Sequence, residues 1–158
     1  MASRKTQRFL ILGGGLIGLS IAHELASKGK EVEIFSRNRS EAAGFVAAGM
    51  LAPHAEGLIN NILKLGKLSL RGIPKWVQTI ETHSGINCGL RVCGIIVPFL
   101  DIETRNQYPT ARFGEPLNRF QLEAEIPGIA SQWQTGLLFP EDGQIDNRRR
   151  LMRALEKA

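Results

Sequence analysis

The stretch Phe9-Leu10-Ile11-Leu12-Gly13-Gly14-Gly15-Leu16-Ile17-Gly18 limits what this chain can fold into more than any other. A short apolar run suits a strand buried in a parallel sheet. Glycines follow it at the spacing Gly13-x-Gly15-x-x-Gly18. Then Ile17, Ile21 and Leu25 recur at helical spacing, and Gly29 supplies a stop. Glu31-Val32-Glu33-Ile34-Phe35 alternates as a strand does. Residues 9–35 therefore read as strand, glycine turn, helix, strand, which is the start of a Rossmann-like α/β fold.

Three glycines at this spacing are costly in a plain turn, because each adds backbone freedom that folding must remove. They are justified where a pyrophosphate lies. Gly13 makes the tight turn, Gly15 lets the phosphates approach the backbone, and Gly18 lets helix and strand pack closely. The helix N-terminus then offers N–H groups and a partial positive charge. An acid at the end of the second strand would bind the ribose hydroxyls, but that position holds Ser36, followed by Arg37. A small hydroxyl beside arginine also suits a 2′-phosphate. FAD, with Ser36 as a weaker ribose partner, and NADP, held through Ser36 and Arg37, both stand on the residues alone.

The rest of the 158 residues extends an α/β pattern. A helix is expected between Asn60 and His83, kinked or restarted at Pro74. Strands are expected at Leu90–Cys93, Gly94–Pro98 and Gly136–Pro140. Asn118 is placed to cap a short helix through Glu125, Glu141-Asp142-Gly143 reads as a turn, and Asp146 is placed to cap a final helix. Cys88 and Cys93 lack the further ligands of a metal site and read as buried free thiols, so no metal is expected. The net charge of +5 is spread along the chain without interleaved aromatic residues, so no nucleic-acid partner is expected. The longest apolar run, Phe9 to Ile21, holds four glycines and is too short to span a bilayer. His23-Glu24 directly after it gives no signal-peptide cleavage site. No membrane association and a cytoplasmic location are the expectation.

Residues 46–57, VAAGMLAPHAEG, begin about ten residues after the second strand, on the side where a Rossmann cofactor lies. Ala47, Ala48 and Gly49 would leave clearance for a flat ring against backbone. GGGLIG (Gly13–Gly18), AAGMLAPHAE (Ala47–Glu56) and GLLFPEDGQID (Gly136–Asp146), in this order, resemble the glycine oxidase branch of the D-amino-acid oxidase family. Members are FAD-dependent, and this branch feeds thiamine thiazole synthesis in many bacteria. The second motif is specific to the branch. The resemblance runs the length of the chain and covers well under half of a typical member.

The resemblance implies an incomplete Rossmann-like βαβ FAD-binding domain with the first part of an inserted substrate-side sheet. Residues 1–85 would begin the FAD-binding domain, 86–140 the substrate-binding domain, and 141–158 would return to the first. It implies cofactor contacts at Gly13, Gly15, Leu16, Ile17, Gly18, Ser36, Arg37, Ala48, Gly49 and Met50. Met50 and Ala52 would lie near the substrate, with Glu56 at the pocket entrance. The substrate would be a small amino acid, glycine above all. Ala43-Gly44-Phe45-Val46 replaces the hydroxyl-rich residues that often precede this loop in the family. The arginine that pairs with the substrate carboxylate, and its tyrosine partner, come later in the family than this sequence reaches. The chain is thus expected to be a truncated N-terminal portion, without oxidase activity alone, partnered by a complementing C-terminal half or by copies of itself in a homo-oligomer.

No catalytic side chain is expected in this portion, since the family's reaction depends on positioning the amine over the flavin. His54 beside Pro53 reads as a loop residue with local hydrogen bonds, and His23 as a surface or packing residue on the first helix. A nucleotide-binding module using NADP and an inactive, partner-dependent fragment are the competing readings.

Overall fold

A computed structural model of the chain describes residues 7–38, 41–145 and 148–158. Its strands are β1 (Arg8–Leu12), β2 (Glu31–Phe35), β3 (Met50–Leu51), β4 (Leu90–Arg91), β5 (Ile95–Phe99), β6 (Glu115–Asn118), β7 (Thr135–Phe139) and β8 (Gly143–Ile145). Its helices are α1 (Leu16–Ser27), α2 (Asn60–Ser84), α3 (Ile102–Asn106), α4 (Arg119–Glu125) and α5 (Arg148–Lys157). They divide into two compact units, one of Met1–Gly49, Lys75–Gly89 and Ile145–Ala158, the other of Met50–Pro74 and Leu90–Gln144. These differ from the contiguous segments 1–85, 86–140 and 141–158, because β3 and the first part of α2 gather with the later strands.

In the first unit β1 lies parallel to β2, from Arg8 opposite Glu31 to Leu12 opposite Phe35. The Arg8 guanidinium pairs with Glu33 and, at 3.7 Å, with Glu31. The turn after α1 closes as its glycine predicts: Gly29 has φ +71°, and the Lys28, Gly29 and Lys30 amides donate to the carbonyls of Leu25 and Ala26. α5 buries Leu151, Met152, Ala154 and Leu155 and packs against α1 and the short turn Ala43–Phe45. Gly44 admits Met152 there, since a Cβ would fall 2.8 Å from its sulfur.

The second unit is built on an antiparallel sheet in the order β5-β7-β6. β7 pairs with β5 from Ile95 opposite Phe139 to Phe99 opposite Thr135, and with β6 from Glu115 opposite Leu138 to Asn118 opposite Thr135. Phe99, Leu137 and Phe139 form its core, with Ala55, Tyr108 and Phe113 packed on them. Asn118 caps α4 as expected, in a reciprocal box with Gln121. β3 pairs antiparallel with β8, Met50 opposite Gln144 and Leu51 opposite Gly143.

Three sequence expectations are corrected. α2 is one helix of 25 residues that runs through Pro74 rather than restarting there. Cys88 is buried, but Cys93 is exposed, because it lies in the link between β4 and β5 rather than in a strand. β3, α3 and β6, which the sequence pattern did not announce, are present. Burial, with the Glu81 carboxylate as the smaller cause, pushes the Cys88 thiol up to about 11. The expected cap Asp146 lies outside the described residues. No helix among the described residues is long and apolar enough to cross a membrane.

Candidate functional site

The glycine turn has the geometry that its spacing predicts. Gly13 takes φ +111°, which L side chains rarely adopt, and its amide donates to the Phe35 carbonyl at 2.8 Å. A Cβ on Gly18 would lie 1.9 Å from the Gly13 carbonyl oxygen, so this position tolerates only glycine. Around Gly13 and Gly15 there is open space, with nothing within 4 Å of a Cβ on Gly13 and only the Ala42 methyl at 4.0 Å from one on Gly15. Gly15 is the N-cap of α1, and as a glycine it brings no side chain to cap the helix end. Leu16 and Ile17 on its first turn are exposed. An open backbone cradle at an uncapped helix N-terminus fits a dinucleotide pyrophosphate.

Ser36 sits beside this turn. A Cβ on Gly14 would lie 3.0 Å from the Ser36 Cβ and 3.1 Å from its Oγ, so Gly14 is small because Ser36 is close. Arg37 does not stand free for a phosphate: its guanidinium donates to Glu41 at 2.5 Å. Ala48 is exposed. Gly49 has φ +88°. A Cβ there would meet the Ile145 carbonyl oxygen at 2.4 Å, and the Ile145 amide donates to the Gly49 carbonyl at 2.8 Å.

In the second unit Met50, Ala52 and Glu56 come together. They line a cavity of about 250 Å³ with Leu58, Leu70 and Ile73 among its apolar walls. Glu56 is the one ionisable side chain on that wall. The Tyr108 hydroxyl is raised above its usual range by burial and, less strongly, by the Glu56 carboxylate.

The sequence reading missed what holds this wall. His54 is not a local loop residue but is buried, with Nδ1 2.7 Å from Asp142 Oδ1. Asp142 Oδ2 accepts the amides of His54 at 3.1 Å and of Ala55 at 2.7 Å. Thr110 donates to the His54 carbonyl at 2.6 Å and the Tyr108 hydroxyl to the Ala55 carbonyl at 2.7 Å. Asp142 had read only as a turn residue. A signal existed, because the second and third motifs, AAGMLAPHAE and GLLFPEDGQID, each contribute one member of the pair. His23 is also buried, and its Nε2 lies 3.2 Å from His83 Nδ1.

The family of FAD dependent oxidoreductases designated DAO matches residues 8–158. The bifunctional protein ThiO/ThiG of Synechocystis sp. is 37% identical over 156 residues, which is 97% of this chain and 23% of that protein. Glycine oxidase of Geobacillus kaustophilus is 31% identical over 147 residues, 85% of this chain and 39% of that enzyme. The crystal structure of glycine oxidase from Geobacillus kaustophilus superposes with a TM-score of 0.81 at 26% identity, covering 96% of this chain and 45% of the other. The chain thus spans between about a quarter and a half of the proteins it matches.

Proposed function

The chain belongs to the DAO family of FAD dependent oxidoreductases, and from that premise we propose that it supplies the pyrophosphate cradle and one substrate wall of a glycine oxidase-type enzyme. Its reaction would be oxidative deamination of a small amine, glycine above all, in the making of the thiamine thiazole. The observation that carries this reading is the open glycine cradle, Gly13 to Gly18, at the uncapped start of α1. Leu16 and Ile17 would meet the pyrophosphate, Ser36 the ribose, and Ala48, Gly49 and Met50 the ring. Met50, Ala52 and Glu56 would face the substrate from the cavity wall. The first unit would be the cofactor side and the second the substrate side.

When bound, FAD would supply a two-electron acceptor for the C–H bond beside the amine nitrogen, with oxygen as the final acceptor; the two electrons and two protons lost by the amine would leave in hydrogen peroxide, and water would hydrolyse the resulting imine to a carbonyl compound and ammonia. This chain's own residues bind and orient and transfer no proton. The α1 N-terminus and the glycine amides would stabilise phosphate charge, while the apolar walls of the cavity would pack against the amine's carbon skeleton. A complementing C-terminal portion would supply the remaining FAD and carboxylate contacts. The NADP reading would need Arg37 to exchange its exposed pair with Glu41 for a 2′-phosphate.

The test is the visible spectrum of the purified chain mixed with FAD and then desalted. A structured flavin spectrum that stays with the protein supports the proposal. A colourless protein that binds NADPH instead would overturn it.

A further inference from the structure

Residues 50–56 carry Met50, Ala52 and Glu56 of the cavity wall, and the second unit fixes their course from one place. Gly143 and Gln144 pair with Leu51 and Met50. The residue before them, Asp142, is fully buried, and its carboxylate takes three hydrogen bonds from His54 and Ala55. Its carbonyl accepts the Gly94 amide at 2.9 Å. The ring of His54 stacks on Phe139, 6.3 Å between centroids and 11° between planes, and lies 5.2 Å from Phe113. Its Nε2 is buried with no hydrogen-bond partner among the described residues. A buried polar atom without a partner costs free energy, and a phenyl ring would fill the same stacked slot without that cost. A histidine here must therefore be held for the bond on its other nitrogen.

We propose that Asp142, acting through His54, is the positioning residue of the small-amine pocket: it fixes residues 52–56 so that Ala52 and Glu56 stand opposite Met50 on one wall. The inference rests on the substrate-side reading of that cavity given above. The carboxylate can only accept, so it selects the tautomer with hydrogen on Nδ1. The carbonyls on the far side of the same segment are tied by Thr110 and Tyr108. Residues 54 and 55 are thus held from both sides, directly before Glu56 on the cavity wall. Neither residue touches the amine.

Asp142→Asn tests this without changing shape. Its amide oxygen can keep the two backbone amides, but its NH₂ then faces His54 Nδ1, and two donors cannot share that contact. The ring must move its hydrogen to Nε2, where no acceptor waits. In the FAD-loaded chain joined by its complementing C-terminal portion we expect KM for glycine to rise about fivefold or more, with kcat and FAD affinity within about twofold. In the FAD-free protein, nitrogen NMR of the His54 ring should report the tautomer exchange, and the Met50 methyl and Glu56 amide resonances should shift with it. Asp142→Glu, which restores an acceptor, should return the tautomer and part of KM.

An unchanged KM would overturn the proposal. So would KM, kcat and FAD affinity falling together in step with the melting temperature, which is the mark of a merely structural residue. If the wild-type chain joined by its complementing portion turns over no small amine, the functional reading has failed, and the NMR measurement alone decides: an unmoved Met50 methyl and Glu56 amide in the Asn variant would refute positioning.

Discussion

The two-stranded sheet of the first unit and the three-stranded sheet of the second start from equally apolar strands and end in opposite surroundings. Phe139 on β7 is 1% exposed, and Leu137 beside it is 3% exposed. Leu12 on β1 is 86% exposed and Leu10 62%. The second sheet makes its site from packed side chains, with a buried Asp142–His54 pair behind a cavity wall. The first makes its site from backbone, with glycines whose value is the space left around them. Side-chain sites are thus expected to fail through lost packing, and the backbone site through added atoms.

Adding one methyl group should give the largest effect. In Gly18→Ala the new Cβ would lie 1.9 Å from the Gly13 carbonyl oxygen, so β1 and α1 could not close on each other. FAD affinity should fall by more than about 100-fold, read by quenching of flavin fluorescence on titration. Affinity within about threefold of the parent would show that this turn is not the cradle, and the contrast between a backbone site and a side-chain site would break.

Removing atoms should give the next effect, in the other unit. Phe139→Ala empties the centre of the cluster with Phe99 and Leu137 and takes the stacked ring from under His54. A fully buried phenylalanine lost from a core costs about 3–5 kcal/mol, read from the urea midpoint. A loss below about 1 kcal/mol would mean that the β5-β7-β6 core re-forms without it.

The two regions were not equally legible in the sequence. The glycine turn was, because its constraint is local: Gly13, Gly15 and Gly18 do their work within six residues, and the spacing states the geometry. The capping by Asn118 was legible for the same reason. The Asp142–His54 pair was not, because 88 positions separate its members and each looked like something ordinary, a turn acid and a histidine after proline. β3 was missed because two residues carry no periodicity. Pro74 misled because local chemistry argues for a break, whereas α2 continues through it. At Gly49 the sequence showed room for a ring but not the Ile145 carbonyl, 96 positions away, that a Cβ there would meet.

A smaller effect should separate the two buried histidines. Burial first, and the neighbouring His83 second, hold His23 below its ordinary 6.5, while Glu24 weakly opposes them. Between the ordinary value and the lowered one the unfolded chain binds the proton and the folded chain does not, so stability falls as pH falls through that window. The melting temperature should decline as pH is lowered from about 7 to about 5, and His23→Gln should flatten the decline. An equal slope in the variant would assign the effect to other groups.

The smallest effect is expected at Leu12, and it tests the contrast most directly. Phe139 and Leu12 both close apolar strands, β7 and β1, and sequence pattern alone ranks them alike. Burial ranks them apart, since a side chain 86% exposed has little apolar area left to lose to water. Leu12→Lys should therefore change the urea midpoint by less than about 0.5 kcal/mol in equivalent stability, and it should reduce self-association by placing charge on an apolar strand. A cost above about 1 kcal/mol would mean that β1 is covered in solution by a second copy or another segment. The first unit would then also hold its site through packed side chains, and the distinction between the two sheets would be one of partner rather than of design.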